Sequence, residues 1–98
     1  MATSDHILST LGLAQRAGKL INGEKRILET VSSTQTGLIF LAKDAGDNIK
    51  KKIRDKAHTY QIPVIETYDS DTLSSAIGKT NRMVLAVIDK GFVRLLKH

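Results

Sequence analysis

The chain has no cysteine in its 98 residues, which excludes a disulfide framework, a thiolate-rich zinc site and a cysteine nucleophile together. Its stability must therefore come from packing. No apolar run approaches membrane-spanning length, and Met1-Ala2-Thr3-Ser4-Asp5-His6 has no basic segment leading into an apolar stretch. A cytoplasmic location is expected on that ground. Gly23 lacks the neighbouring glycines of a dinucleotide or phosphate loop, and Gly78-Lys79-Thr80 does not complete a Walker motif. No nucleophile-elbow pattern surrounds Ser9, Ser32, Ser33, Ser70, Ser74 or Ser75. His6, His58 and His98 lack the spacing of a metal pair and read as surface or edge residues. There is no internal repeat, low-complexity tract or linker.

What is present suits one compact domain spanning residues 1–98, because a chain this short buries roughly two-thirds of its unfolded surface and cannot fill two cores. The composition, 41% apolar and 26% charged, supplies a core and differs from that of disordered segments. Fifteen Lys and Arg against ten Asp and Glu leave a charge of +5, which favours a polyanionic partner, nucleic acid first among them. Many stable proteins are this basic for solubility, so charge poses the question without answering it.

Ile7, Leu8, Leu11, Ala14 and Ala17 lie at helical spacing, predicting a helix capped by Ser4 and ended by Gly18. After the apolar pair Leu20-Ile21, residues Ile27, Leu28 and Val31 predict a second helix with Asn22 as its cap. Gly37-Leu38-Ile39-Phe40-Leu41-Ala42 predicts a central strand covered on both faces. In a third helix over 47–60, Ile49, Ile53, Ala57 and Tyr60 make an apolar stripe opposite Lys50, Lys51, Lys52, Arg54 and Lys56. A strand over 62–67 carries the sole proline, Pro63, at its start, where a missing backbone donor costs little. Asp69 or Ser70 caps a short helix with Leu73, Ala76 and Ile77 on its apolar face; Asp71 nearby also opposes the positive helix end. Gly78 ends that helix before an exposed loop over 79–82. Met83–Ile88 predicts a second buried strand, and Phe92–Leu96 a final helix. Helices alternating with apolar strands imply an α/β fold, a three-layer α/β/α sandwich around a small mixed sheet.

Two basic segments could meet an anion. The run Lys50-Lys51-Lys52 with Arg54 and Lys56 reads either as a phosphate-contacting face or as a solvated helix surface. Asn22-Gly23-Glu24-Lys25-Arg26 opens a helix, where free backbone N–H groups and the positive dipole end face outward. Lys25 and Arg26 oppose that dipole, an arrangement that makes more sense if RNA faces them. An ordinary capped helix with solvated cations is the other reading.

Ala17-Gly18-Lys19-Leu20-Ile21-Asn22-Gly23-Glu24-Lys25, Leu41-Ala42-Lys43-Asp44-Ala45 and Ile62-Pro63-Val64, followed by Leu73, Ala76 and Gly78, together resemble one family. It is the kink-turn-binding ribosomal protein family, in particular its bacterial YlxQ-like members, and the blocks extend from about Leu11 to Asp89. The resemblance implies an α/β/α sandwich that needs no cofactor and binds kink-turns, sharply bent RNA duplexes built on tandem sheared G·A pairs beside a short bulge. By this resemblance Gly23 opens the RNA-facing helix and Lys25 is the polar residue that meets the G·A pairs, with Asn22, Glu24 and Arg26 alongside. Lys43, in the second block, joins the same expected surface. Lys79, Thr80, Asn81, Arg82 and Met83 correspond to the family's loop that wraps bulged nucleotides. The sequence departs from the family at Arg26, where glutamate is frequent, and at Glu29, where many members carry lysine.

The expected partners are structured RNA, ribosomal RNA included, and the ribosome; the expected state is a monomer. Two rivals stand beside this reading. One is a protein-interaction or ribosome-assembly module that keeps the fold without kink-turn affinity. The other is an accessory part of an RNA-modifying enzyme, since a chain of 98 residues has no room for a catalytic domain as well.

Overall fold

Two tetrads of consecutive apolar residues, Leu38–Leu41 and Val84–Val87, are buried at every position. Side chains alternate across a strand, so burial without alternation requires cover on both faces. In the computed structural model, which describes residues 4–33 and 35–97, these tetrads are the two central strands of a four-stranded sheet. The cap expected of the Ser4 side chain and the expectation for His98 lie outside what is described.

In chain order the elements are α1 (Ser4–Arg16), β1 (Leu20–Asn22), α2 (Glu24–Thr30), β2 (Leu38–Leu41), α3 (Asp47–Thr59), β3 (Val64–Ile65), α4 (Ser70–Ala76), β4 (Val84–Val87) and α5 (Lys90–Leu96). The strand order is β1-β4-β2-β3. β4 is antiparallel to both neighbours, with Asn22 opposite Leu85 and Leu41 opposite Val84, whereas β3 runs parallel to β2. The C-terminal ends of β1, β2 and β3 and the start of β4 therefore lie together at one end of the sheet.

α1 packs against α4 and α5, and α2 against α3, which clothes the two faces as the expected α/β/α sandwich. Phe40, Leu41, Leu11, Ile53 and Leu73 are fully enclosed in the core, and the Phe40 ring lies 6.2 Å from that of Tyr68 in a tilted arrangement. α1 and α4 approach so closely that a Cβ on Gly12 would fall 2.8 Å from the Ala76 carbonyl oxygen. Only glycine permits that approach. No helix among the described residues is long and apolar enough to cross a membrane.

Three expectations need correction, and one strand goes unread in the sequence. Asn22 is not a helix cap: it ends β1, and its side-chain amide donates to Gln15 Oε1 at 3.4 Å, while Gly23 occupies the cap position without a side-chain bond. The segment Leu20–Asn22 is a strand because β4 supplies a partner for it, which the short apolar pair does not reveal. The strand expected over 62–67 is ordered as sheet only at Val64–Ile65, since β3 pairs on one side alone. Tyr60 is 44% exposed rather than part of the buried stripe, because α3 stops at Thr59 and the chain turns through Gln61 at φ 56°.

Polar links fix the loops at the ends of the strands. Asp44, just beyond β2, accepts hydrogen bonds from the Ser70 amide and hydroxyl, each at 2.7 Å, and so joins the start of α3 to the start of α4. Asp69 caps α4 by accepting from the Thr72 amide at 2.8 Å. Arg54 on α3 donates through Nε and Nη2 to both oxygens of Glu66, at 2.9 and 2.5 Å. The Ser70 hydroxyl and amide hold Asp44 below its ordinary pKa, the Thr72 hydrogen bonds do so for Asp69, and the Arg54 guanidinium does so for Glu66. A carboxylate depressed in the folded state adds stability that is present above its unfolded pKa and is lost as pH falls through the folded value. The melting temperature should thus be flat near neutrality and fall as acid passes through and below the usual carboxylate range. Asp44→Asn should blunt that fall; a pH series in which the variant and the natural chain lose stability in parallel would exclude Asp44 as a contributor.

Candidate nucleic-acid interface

The end of the sheet where β1, β2 and β3 finish collects the residues singled out in the sequence. Gly23 follows β1 directly, and its N–H donates to the Val84 carbonyl at 3.1 Å, tying the entrance of α2 to the first residue of β4. Met83 precedes that residue and accepts from the Ala42 amide at 2.8 Å. Lys43 comes next, held by its own amide to the Tyr68 carbonyl at 2.9 Å. Backbone register thus brings Asn22, Gly23, Lys43 and Met83 to one margin of the molecule, from which α2 departs with Lys25 and Arg26 on its first turn and into which the loop from Lys79 to Arg82 leads.

Gly23 adopts φ 96° and ψ 135°, a conformation that side-chain-bearing residues rarely take. An added Cβ there would meet nothing within 4 Å, so the glycine answers to backbone geometry and leaves open space above the helix entrance. Lys25 and Arg26 are exposed on the first turn of α2, and the amides of that turn have no intrahelical acceptor. Glu24 is half-buried and lies 3.7 Å from Lys52 of α3, which offsets the one negative charge in this stretch. The exposed Glu29 follows a turn later.

The loop before β4 is shaped from beneath. The buried Ser74 hydroxyl accepts from the Arg82 amide at 2.9 Å and lies 3.4 Å from the Arg82 carbonyl. Asn81 takes φ 55°, a left-handed conformation that asparagine tolerates better than most residues. Lys79, Thr80 and Asn81 are exposed and, with Asp71, Ser74 and Ser75, line an open cleft of about 690 Å³. Arg82 is half-buried, and its Nε is enclosed without a hydrogen-bond partner among the described residues. Sequence reasoning missed Ser74 and Asp44, which set the backbone of the two contact loops through bonds spanning eight and 26 positions.

The second basic segment behaves differently. On α3, Lys51 pairs with Asp55 at 3.4 Å, Lys52 with Glu24, and Arg54 with Glu66. Much of that positive stripe is neutralised within the protein, which supports its reading as a solvated helix face. Among the described residues no cluster of three or more His, Asp or Glu side chains could hold a metal ion.

The chain matches the family described as ribosomal protein L7Ae/L30e/S12e/Gadd45 over residues 5–97. It is 37% identical over 91 residues, covering 93% of this chain and 87% of the relative, to the RNA-binding protein YlxQ of Enterococcus faecium. It is also 37% identical over 86 residues to the RNA-binding protein YlxQ of Bacillus subtilis strain 168, covering 88% of this chain and 86% of that one. A solved structure of a protein of unknown function from Bacillus halodurans superposes with a TM-score of 0.87 at 46% identity, covering 92% of this chain and 91% of that one. With its fold, its block order and a match over nearly its whole length, the chain belongs to the ribosomal protein L7Ae/L30e/S12e/Gadd45 family.

Proposed function

We propose that this chain is a non-catalytic RNA-binding protein that recognises kink-turns or similarly bent structured RNA. The observation that carries this reading is the meeting of the α2 entrance at Gly23, Lys43 and the end of the 79–83 loop at Met83 on one end of the sheet, through the backbone bonds Gly23 to Val84 and Ala42 to Met83. The names of the two YlxQ relatives support RNA as the ligand class. A bent RNA splays base edges that a regular A-form helix hides, and a helix entrance beside a polar loop can clamp such a bend by its shape. A protein that prefers the bent form shifts the RNA's own equilibrium towards it without covalent chemistry or a cofactor. In this reading Gly23 lets RNA approach, Lys25 meets the sheared G·A pairs, Arg26 and Lys43 neutralise phosphates, and the loop through Arg82 holds the bulged nucleotides. The protein works as a single cytoplasmic domain, a monomer associated with the ribosome.

The test compares binding to a kink-turn RNA with binding to a control whose sheared G·A pairs are replaced by Watson–Crick pairs, at one salt concentration. Much tighter binding to the kink-turn than to the control is the expected result. Equal weak binding to both would overturn it and favour an interaction or assembly module, in keeping with the departures at Arg26 and Glu29.

Two substitutions separate this site from the basic helix. Lys25→Ala should weaken kink-turn binding by about 1–3 kcal/mol, the range for a side chain in direct base contact. Lys51→Ala, which removes an exposed lysine already paired with Asp55, should cost much less and act through the salt dependence. Isothermal titration of both variants decides: equal losses would move the footprint to α3.

A further inference from the structure

At the opposite end of the sheet, β4 finishes at Val87, whose carbonyl accepts from the Gly37 amide at 3.0 Å, and the chain turns into α5. Here the segment entering β2 runs beside α5, and Gln35, Gly37, Lys90, Val93, Arg94 and Lys97 line an open groove of about 340 Å³. Lys90, Arg94 and Lys97 follow one another by four and three positions, so they stand on one face of the helix. All three are exposed, and no carboxylate forms an ion pair with any of them among the described residues. The nearby Asp89 carboxylate is engaged in capping α5, accepting from the Phe92 amide at 3.1 Å.

Lys97, at the end of α5, has a local reason to be cationic, since it complements the negative end of the helix dipole. Lys90, the first residue of α5, has the reverse: positive charge there is disfavoured by the dipole. The contrast with α3, where Lys51, Lys52 and Arg54 each have an acidic partner, makes this groove a concentration of unneutralised charge. The cations rise along the helix in steps of about 6 and 4.5 Å, comparable with the separation of successive phosphates on a nucleic-acid strand. The groove is concave and carries the Gln35 amide and the Val93 methyls beside the cations, so it can track a ribose-phosphate chain without reading bases.

We propose that the α5 groove is a second RNA-backbone site, which takes the phosphates of a separate duplex segment while the sheet's other end holds the bent one. Its two sites at opposite ends of the sheet make the protein a bridge between RNA segments. This inference rests on the RNA-binding reading of the chain, and its experiment is arranged to fail separately.

The natural chain, K90Q/R94Q/K97Q and K25Q/K43Q are each titrated with a labelled plain RNA duplex, alone and after saturation with unlabelled minimal kink-turn RNA. The natural chain should capture the duplex in both conditions, and K25Q/K43Q should retain that capture. K90Q/R94Q/K97Q should lose it, with the slope of log affinity against log salt shallower by about 2–3, as expected for three lost phosphate contacts. Its affinity for the minimal kink-turn and its melting temperature should be unchanged, the three side chains being exposed. Capture that survives the triple substitution, or that disappears only in K25Q/K43Q, overturns the second site. Selective loss of binding to poly-glutamate, with duplex capture intact, would assign the groove to an acidic protein segment and overturns it as well. Absence of kink-turn preference in the natural chain would count against the first site alone, because the duplex titration of free protein still reads the groove.

Discussion

Replacing Phe40 with alanine should destabilise the protein by about 3–5 kcal/mol, a large share of the roughly 5–15 kcal/mol available to a small domain. Phe40 is the largest of the fully buried side chains, on a strand covered on both faces, with the Tyr68 ring beside it. Its removal forfeits the transfer energy of the ring and leaves a cavity that tightly packed strands cannot collapse around. β2 also supports Lys43 and, through Leu41 opposite Val84, the start of β4, so the loss should spread to the contact loops. Urea denaturation measures it. A loss below about 1.5 kcal/mol, the range of well-tolerated swaps, would mean that the core is not packed as described.

Gly23→Ala should be costly in two ways at once. At φ 96° and ψ 135° an alanine is strained by about 1–3 kcal/mol, although no neighbouring atom obstructs its methyl group. The chain can relieve that strain by rotating Gly23, and rotation breaks the bond from its N–H to the Val84 carbonyl that holds the α2 entrance against β4. Stability should fall by that amount, and RNA affinity should fall further than stability alone explains, because Lys25 and Arg26 leave the loop beside them. Gly46, which precedes α3 at φ −64° and also has open space around it, is the control: alanine there should be nearly neutral. Thermal unfolding and RNA titration of the pair check this. Equal behaviour of the two variants would remove the special role of Gly23.

The parts of the fold that could be read from the sequence are those with dense local signals. Leu38–Leu41 and Val84–Val87 announce themselves as strands because every residue in them is apolar and enclosed. Asp69 is readable as a cap because its partner amide is only three residues away. Leu20–Asn22 is not readable as a strand, since its stability comes from β4, more than 60 positions later in the chain. The same gap misplaces Asn22: an asparagine before a glycine at a helix start has the composition of a cap, and only the strand pairing shows its different role. In the candidate site, Lys25, Lys43 and the loop from Lys79 to Met83 were singled out through family resemblance and charge. Their meeting at one end of the sheet depends on strand order, which a linear pattern does not carry. Pairings such as Arg54 with Glu66 and Asp44 with Ser70 are hidden for the same reason, and they decide which positive charges stay free.

In the proposed function, three separate segments form one RNA-binding margin. Its most direct test follows backbone amide resonances of the natural chain during titration with a minimal kink-turn RNA. The largest shifts should fall together on Gly23, Lys25, Arg26, Lys43 and residues 79–83, while Lys50, Lys51 and Lys52 on α3 move little. Shifts centred on α3, or spread evenly over every exposed lysine, would contradict it.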